Sequence, residues 1–318
     1  MGQILIFSEN DKVAYELLGK SLEIGGATGA GVTAAVLGAD LSNRASEYHN
    51  RGAQKVFIPG TGKEALELFE ASVYASALAQ IAEKSGATVI LLGCTRRGKE
   101  LAGRLAQKLG AACINDVNGL EVRDGQLVCK RYALGGATVS SQAVVSPVAV
   151  ISVMPASFEP AAVVLPGGDT KEVDLSLAPS RVRLVERQSK AADSVDIAEA
   201  KTLVCVGMGL GSAEKVALAE DLAKTLGGEV GGSKPVITDQ KWLPEARMIG
   251  LSGKKCKPQL AVCMGVSGQV QFIVGIREAK SIVAINTDEN ATIFQYADYG
   301  VVGDLNEVVP KLTALLKQ

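Results

Sequence analysis

The C-terminal half of the sequence contains glycine-rich segments of the kind that bring a phosphate group close to the backbone. The apolar run Thr202–Val206 leads into Gly207–Ser212, which reads Gly-Met-Gly-Leu-Gly-Ser, and a helical pattern follows. Glycines at such a turn let a phosphate approach backbone N–H groups at the start of a helix. The dinucleotide fingerprint requires glycine where Ser212 stands, so this motif alone leaves two interpretations open: pyrophosphate binding or a tight turn.

Three further segments rich in small residues follow in the same half, at Gly227–Lys234, Ile249–Lys254 and Gly265–Phe272. The last of them again passes from a strand pattern to the start of a helix. Open α/β sheets bind ligands outside the carboxyl ends of their strands, where loops of this kind meet. The four segments together therefore predict one extended nucleotide site.

The fourth segment carries the most specific pattern. From Gly265 through Gly275 to Asn286 the chain resembles, at every spacing, the signature of electron-transfer flavoprotein alpha subunits, including the nitrogen-fixation and carnitine-pathway type. The resemblance extends to Thr95–Ala102 and Ala111–Gly119 in the first half, so it covers nearly the whole chain. It implies a two-domain subunit that binds FAD mainly in its C-terminal domain and forms a heterodimer with a beta subunit.

The activity implied by the resemblance is electron transfer. Bound FAD would exchange electrons with an acyl-CoA-type or other flavin dehydrogenase, or with a second flavin in the beta subunit. The chain would be an electron carrier subunit, with no catalytic nucleophile or general base of its own. The alternative is a binding or assembly module that keeps the nucleotide fold and the heterodimer surface but holds FAD weakly.

The resemblance also implies particular cofactor contacts. The segment 249–252 would line the flavin ring, 267–272 would surround the ribityl and pyrophosphate groups, and the hydroxyl of Ser252 could reach flavin N5. Polar residues near 286, 288 and 304 would bind the adenosine half. The expected cofactor-binding residues are Met208, Gly209, Ser233, Lys234, Ile249, Gly250, Leu251, Ser252, Ser267, Gly268, Gln269, Val270, Gln271, Phe272, Asn286, Asp288, Asp304 and Leu305.

Several of these positions depart from the family. Phe272 stands where the signature has histidine, Met208 and Lys234 stand where arginine is common, and Leu251 stands where glutamine is common. We expect Phe272 to lower the flavin potential, because a phenyl group cannot hydrogen-bond the reduced ring. The alternative is that Phe272 is only a core aromatic. Arg247 could replace the charge lost at Met208, or it could lie in a salt bridge.

Strands and helices must hold such a site in place. In the first part of the chain, up to about residue 112, strand and helix patterns alternate and predict an open α/β sheet. The predicted strands are Ile4–Ser8, Val32–Leu37, Lys55–Ile58 and Thr88–Leu92, and the predicted helices are Asp11–Ile24, Ser42–Asn50, Lys63–Lys84 and Arg97–Leu109. Residues 113–155 predict an antiparallel extension of the same domain, with strands at Gly119–Val122, Leu127–Ala133, Ala137–Ser140 and Pro147–Val153.

The alternation restarts after a proline-containing stretch and predicts a second domain with a parallel sheet that binds FAD. Residues 1–194 would form the N-terminal α/β domain, which contacts the beta subunit, and 195–318 the FAD-binding domain, with a hinge near Val195. The predicted strands are Thr202–Val206, Leu260–Met264, Ser281–Ile285 and Tyr299–Val302, and the predicted helices are Ala213–Leu226, Gly268–Gly275 and Leu305–Lys317.

Composition excludes several other classes of function. The chain has 33 Lys and Arg against 34 Asp and Glu, so no basic field is present to attract nucleic acid. Six cysteines without a Cys-x-x-Cys pair and a single histidine argue against a metal site. The longest apolar stretch, Gln142–Met154, is too short to span a membrane, and Met1 leads into the chain without a signal peptide. We therefore expect a cytoplasmic protein.

Overall fold

The computed structural model describes residues 2–136, 138–164, 167–180, 182–186 and 196–317. The chain divides into two compact units, Met1–Arg187 and Gln188–Gln318. The hinge predicted near Val195 lies outside the described residues, so the exact domain boundary stays a prediction. In the described ranges, no helix combines the length and the apolar character needed to cross a lipid bilayer.

The first unit is an α/β structure around one nine-stranded sheet. Its helices are α1 (Asp11–Thr28), α2 (Leu41–His49), α3 (Ala71–Ser85) and α4 (Arg96–Leu109). Its strands are β1 (Gln3–Phe7), β2 (Val32–Ala35), β3 (Lys55–Pro59), β4 (Ala87–Gly93), β5 (Ala112–Arg123), β6 (Gln126–Ala133), β7 (Thr138–Ala143), β8 (Ala149–Val153) and β9 (Asp169–Val173). Their order across the sheet is β7-β6-β5-β8-β4-β1-β2-β3-β9.

The strands in the order β5-β8-β4-β1-β2-β3-β9 pair with their neighbours in parallel. Beyond β5, the strands β6 and β7 extend the sheet in antiparallel fashion. This confirms the predicted open α/β domain with an antiparallel extension. One strand differs from the prediction: β8 lies in the parallel part, between β4 and β5, and not in the extension. Its five residues are all buried, as is typical of a parallel strand covered on both faces.

Two other local predictions in this unit are also corrected. The helix expected over Lys63–Lys84 is split into a 3-10 turn at Lys63–Leu66 and helix α3, because Glu70 has an extended backbone with φ −127° and ψ 121°. Strand β9 is absent from the sequence prediction. Its first four residues are exposed and polar, so they lack the apolar pattern by which a strand is recognised.

The second unit contains a five-stranded sheet in which every pairing is parallel. Its strands are β10 (Thr202–Val206), β11 (Glu229–Gly232), β12 (Leu260–Met264), β13 (Ser281–Asn286) and β14 (Tyr299–Val302), and its helices are α5 (Val216–Thr225), α6 (Val270–Ile273) and α7 (Leu305–Leu316). The order is β11-β10-β12-β13-β14, which confirms the predicted parallel sheet.

The sheet of the second unit is a middle layer with a core on each face. Val204 and Val206 belong to one apolar cluster, and Leu203 and Cys205 belong to the other, as the alternation of side chains along a strand requires. The helix predicted over Gly268–Gly275 contains only the single turn α6. The glycine segment at 227–234 holds β11, a strand that its composition does not predict.

Candidate functional site

The loops that follow the parallel strands of the second unit meet at one edge of the sheet. Val206, near the end of β10, pairs with Gly232 on one side and with Met264 on the other. The chain forms β11 on one side of β10 and then returns to form β12 on the opposite side. Such a switch point opens a crevice between the loops after β10 and β12, and open α/β sheets bind their ligands in such a crevice.

A cavity of about 400 Å³ occupies this crevice. Its walls come from the loops after β10, β11, β12 and β13 and from the segment 248–253. The expected cofactor residues that line it are Met208, Gly209, Ser233, Lys234, Ile249, Leu251, Ser252, Ser267, Gln269, Gln271, Phe272, Asn286 and Asp288.

The remaining expected cofactor residues do not line the cavity. Gly250 and Gly268 have positive φ, 128° and 88°, and a Cβ on either would collide with neighbouring backbone. Val270 is exposed. The carboxylate of Asp304 accepts the backbone N–H of residue 306 at 2.8 Å and so caps α7, and Leu305 is buried in the core. The adenosine contact expected at Asp304 stays a prediction.

The cavity also has lining residues that are not among the expected cofactor residues, namely Gly207, Pro235, Met248, Gly253, Gly265, Val266 and Ala291. Most of them are direct neighbours of assigned residues, so the glycine-rich segments point to the region but not to each side chain. Met248 reaches the wall because it forms a parallel bridge with Gly232, at the end of β11. That pairing joins two parts of the chain that are distant in sequence, and no local pattern predicts it.

The loops after β10 and β12 contact each other through glycine backbone. The N–H of Gly207 donates to the Met264 carbonyl and the N–H of Gly209 to the Gly265 carbonyl, both at 2.9 Å. A Cβ on Gly207 would lie 2.2 Å from the Gly265 carbonyl oxygen, so only glycine allows this approach. The first glycine motif is thus explained by close packing between loops and does not by itself require a phosphate.

A tight loop at Ile249–Lys254 forms another wall. The N–H of Gly250 donates to the Lys254 carbonyl at 3.1 Å and closes the loop. The N–H of Leu251 donates to the Gln271 carbonyl at 2.7 Å and ties the loop to α6. A Cβ on Gly250 would lie 2.5 Å from that same carbonyl oxygen. The loop therefore has a defined backbone path, which fixes the position of this part of the wall.

The polar groups of the cavity suit an anion. In the part of the chain that the structure describes, the backbone N–H groups of 267–271 donate to no protein acceptor. Unpaired N–H groups in a turn that leads into a helix attract phosphate groups. Among the lining residues, Lys234 supplies a positive charge and Asp288 a negative one. The side-chain amide of Asn286 donates to the Val266 carbonyl at 2.9 Å, which holds the β12 and β13 loops together.

An apolar wall faces these polar groups. Phe272 and Ile249 are only 6% and 2% exposed, line the cavity and share one core cluster. Phe272 is therefore both a core aromatic and a wall residue, and its effect on a flavin potential stays a prediction. Cys256 belongs to the same cluster, and burial raises the pKa of its thiol to about 12. The thiol is thus uncharged at neutral pH, and the core behind the wall stays apolar.

Arg247 does not line the cavity. Its guanidinium forms an ion pair with Glu229 at 3.0 Å and donates to the Val230 carbonyl at 2.7 Å. These contacts favour the salt-bridge interpretation over the replacement of a charge lost at Met208. Lys234 is therefore the cation that this wall offers to a ligand.

Two regions of the chain match models of one protein family. Residues 4–178 match the model described as "Electron transfer flavoprotein domain", and residues 196–277 match "Electron transfer flavoprotein FAD-binding domain". The second match includes the loops after β10, β11 and β12 and the segment 248–253, so it covers most of the cavity wall. It ends before Asn286 and Asp288.

Individual proteins give the same result. The chain is 39% identical over 248 residues to "Protein FixB" of Escherichia coli O81 (strain ED1a), and 39% identical over 245 residues to "Protein FixB" of Shigella dysenteriae serotype 1 (strain Sd197). Each alignment covers 76% of this chain and 78% of the relative. These findings confirm the resemblance seen in the sequence: the chain belongs to the electron transfer flavoprotein family and is of the alpha-subunit type.

Proposed function

We propose that the second unit binds FAD in the cavity at its switch point and that the chain transfers electrons as the alpha subunit of a heterodimer. One observation carries the FAD proposal: a single cavity combines unpaired N–H groups at 267–271, the cation Lys234 and an apolar wall at Ile249 and Phe272. The unpaired N–H groups suit a pyrophosphate, the apolar wall suits a flat, largely apolar ring, and the charge of Lys234 suits that ring in its anionic reduced form.

The residues divide naturally between the parts of the cofactor. The N–H groups at 267–271 suit the pyrophosphate, and Ile249 with Phe272 suits the flavin ring. Asn286, the last residue of β13, and Asp288, on the loop that follows, suit the adenosine half. Bound FAD would supply the one- and two-electron chemistry that no protein side chain provides.

The chain's own residues would then set the potential of the ring. The charge of Lys234 favours an anionic reduced ring. Phe272 contributes no hydrogen bond where a polar side chain would stabilise that charge, so it acts in the opposite direction. The exposed hydroxyl of Ser252 lines the cavity and can donate or accept a hydrogen bond at flavin N5.

The proposed partners are an electron-transfer flavoprotein beta subunit, within the heterodimer, and an acyl-CoA-type or other flavin dehydrogenase. The first domain, 1–194, would contact the beta subunit. In support, the antiparallel extension exposes three apolar side chains, those of Leu134, Val139 and Val145, at 81%, 60% and 85%. A partner subunit on this extension would cover these exposed apolar side chains.

Flavin binding by the purified protein tests the proposal. The chain, alone and co-purified with a beta subunit, is titrated with FAD and followed by flavin absorbance and fluorescence. We expect one FAD per chain and a yellow protein. Ser267→Tyr, which places a ring in the cavity, should weaken binding at least about tenfold, and Glu214→Tyr, at an exposed residue outside the cavity, should not.

A heterodimer that remains colourless after addition of FAD would contradict the proposal. That result would favour the alternative of an assembly module. Equal effects of the two tyrosine variants would show that FAD binds elsewhere.

A further inference from the structure

The first described residue of the second unit is bonded to the loop that lines the cavity. The carboxylate of Asp196 accepts a hydrogen bond from Lys254 Nζ at 2.5 Å. The two side chains are 57% and 30% exposed. Lys254 is the last residue of the loop Ile249–Lys254, and its backbone closes that loop by a bridge to Ile249. The ion pair thus joins the entry of the chain into the second unit to a wall of the cavity.

A second contact at the same place supports this connection. Ile197 is fully buried and belongs to the core cluster that contains Ile249 and Phe272. The oxygen of Asp196 that binds Lys254 also accepts the backbone N–H of Ala198 at 3.0 Å. One carboxylate therefore fixes both the turn that buries Ile197 and the end of the cavity loop.

We propose that Asp196 is a positioning residue for the cavity. It holds the loop Ile249–Lys254 through Lys254 and so couples the segment that enters the second unit to the flavin site. A displacement of the chain at Asp196 would be transmitted to Lys254, and from there to Leu251 and Ser252 on the cavity wall. The functional consequence rests on the proposed FAD site, whereas the coupling itself concerns the protein alone.

Hydrogen exchange of two loop amides measures the coupling without any flavin. The N–H of Gly250 donates to the Lys254 carbonyl, and the N–H of Lys254 donates to the carbonyl of Met248, the residue before the loop. Asp196→Asn removes the charge but keeps a side chain that caps a turn. Because exposed ion pairs change equilibria only modestly, we expect these two amides to exchange about two- to fivefold faster in the full-length variant. Asp196→Glu, which keeps the charge, should restore most of the protection.

The chain offers a matched control for this substitution. Asp221, in α5 of the same unit, is 54% exposed and pairs at 2.9 Å with Lys317, the residue that follows α7. Asp221→Asn therefore removes the same kind of ion pair away from the loop, and it should leave Gly250 and Lys254 unchanged. Lys254→Gln should reproduce the effect of Asp196→Asn, and the double variant should exchange no faster than either single one.

Flavin measurements extend the test to the site. Asp196→Asn should weaken FAD binding about two- to fivefold and shift the visible absorption band of the bound flavin, while Asp221→Asn should change neither. Unchanged exchange at Gly250 and Lys254 in Asp196→Asn, or equal acceleration in Asp221→Asn, overturns the proposal. If exchange responds as expected but the unaltered chain binds no FAD, the positioning role stands and the proposed function fails.

Discussion

Both units have a switch point at the edge of a parallel sheet, but the residues placed there differ. In the first unit, β2 and β3 lie on one side of β1 and β4 lies on the other. In the second unit, β11 and β12 flank β10 in the same way. The two topologies therefore offer equivalent crevices for a ligand.

Side chains bridge the crevice of the first unit. The hydroxyl of Thr95, after β4, donates to the carboxylate of Glu9, after β1, at 2.5 Å. Close by, Lys99 forms an ion pair with Asp116 at 2.7 Å. The carboxylate of Glu9 repels a phosphate at this point, and the charge of Lys99 is already paired with that of Asp116.

Glycine backbone joins the corresponding loops of the second unit. Gly207 and Gly209 pack on Gly265, so no side chain of these three residues enters the crevice. The space is lined instead by the cavity residues and by unpaired N–H groups at 267–271. Topology thus provides the place for a ligand, whereas the residue types in the loops decide whether a ligand can bind there.

Replacing Gly265, the glycine on which Gly207 and Gly209 pack, should have the largest effect on stability. Gly265 and Gly227 both have φ 63°, but a Cβ on Gly265 would lie 2.7 Å from the Gly209 carbonyl carbon, whereas one on Gly227 has no atom within 4 Å. Either alanine costs about 1–2 kcal/mol for its left-handed backbone. The collision should add about 1–3 kcal/mol at 265. Denaturant unfolding should therefore separate Gly265→Ala from Gly227→Ala, and equal losses of stability would refute the role given to glycine packing.

Phe272→His tests the apolar wall. A hydrogen bond to a charged group contributes about 1.5–3 kcal/mol, which for two electrons corresponds to a rise of about 30–60 mV in the flavin midpoint potential. Phe294→His is the control, because Phe294 packs against the same core but does not line the cavity. Redox titration of the FAD-loaded protein measures both. A midpoint that fails to rise in Phe272→His shows that the assigned role is wrong.

Thr95→Ala tests the bridged crevice. It removes the bond to Glu9 and the N-cap of α4, in which the Thr95 hydroxyl accepts the Gly98 N–H at 2.9 Å. We expect the first unit to lose about 1 kcal/mol of unfolding free energy, with FAD affinity unchanged. Thr95→Ser keeps the hydroxyl and should behave like the unaltered chain. A loss of FAD affinity in Thr95→Ala would break the distinction between the two crevices.

The smallest expected effect concerns a charged cap in the second unit. Hydrogen bonds from the backbone and side-chain N–H groups of Asn306 hold the pKa of Asp304 below its ordinary value. The carboxylate is thus favoured in the folded state, and its contribution to stability is present above the ordinary pKa of about 3.9 and is lost as pH falls through the lowered value.

Asp304→Asn keeps a capping side chain but removes this titration. The unaltered chain should be slightly more stable than the variant near pH 6, and the difference should disappear as Asp304 becomes protonated. Thermal unfolding from pH 6 downward measures it. A difference that does not depend on pH would contradict this account of the cap.

Patterns in the amino-acid sequence were enough to predict the fold class, the two-domain plan and the family. The spacing of apolar residues distinguishes a buried strand from an amphipathic helix, because it shows which positions along one element face the core. The spacing from Gly265 to Asn286 was specific for a related reason: the glycines occupy backbone positions that no other residue fits. Both constraints leave their record in the types of residue along the chain, so they can be read without coordinates.

The way in which the elements combine is visible only in the folded structure. The parallel place of β8, the strand β11 within a glycine segment and the position of Met248 on the cavity wall all result from pairing with distant parts of the chain. The structure likewise divided the expected cofactor residues into those that line the cavity and those, such as Asp304, that stabilise an element. Such contacts depend on which surfaces meet after folding, and a local pattern carries no record of them.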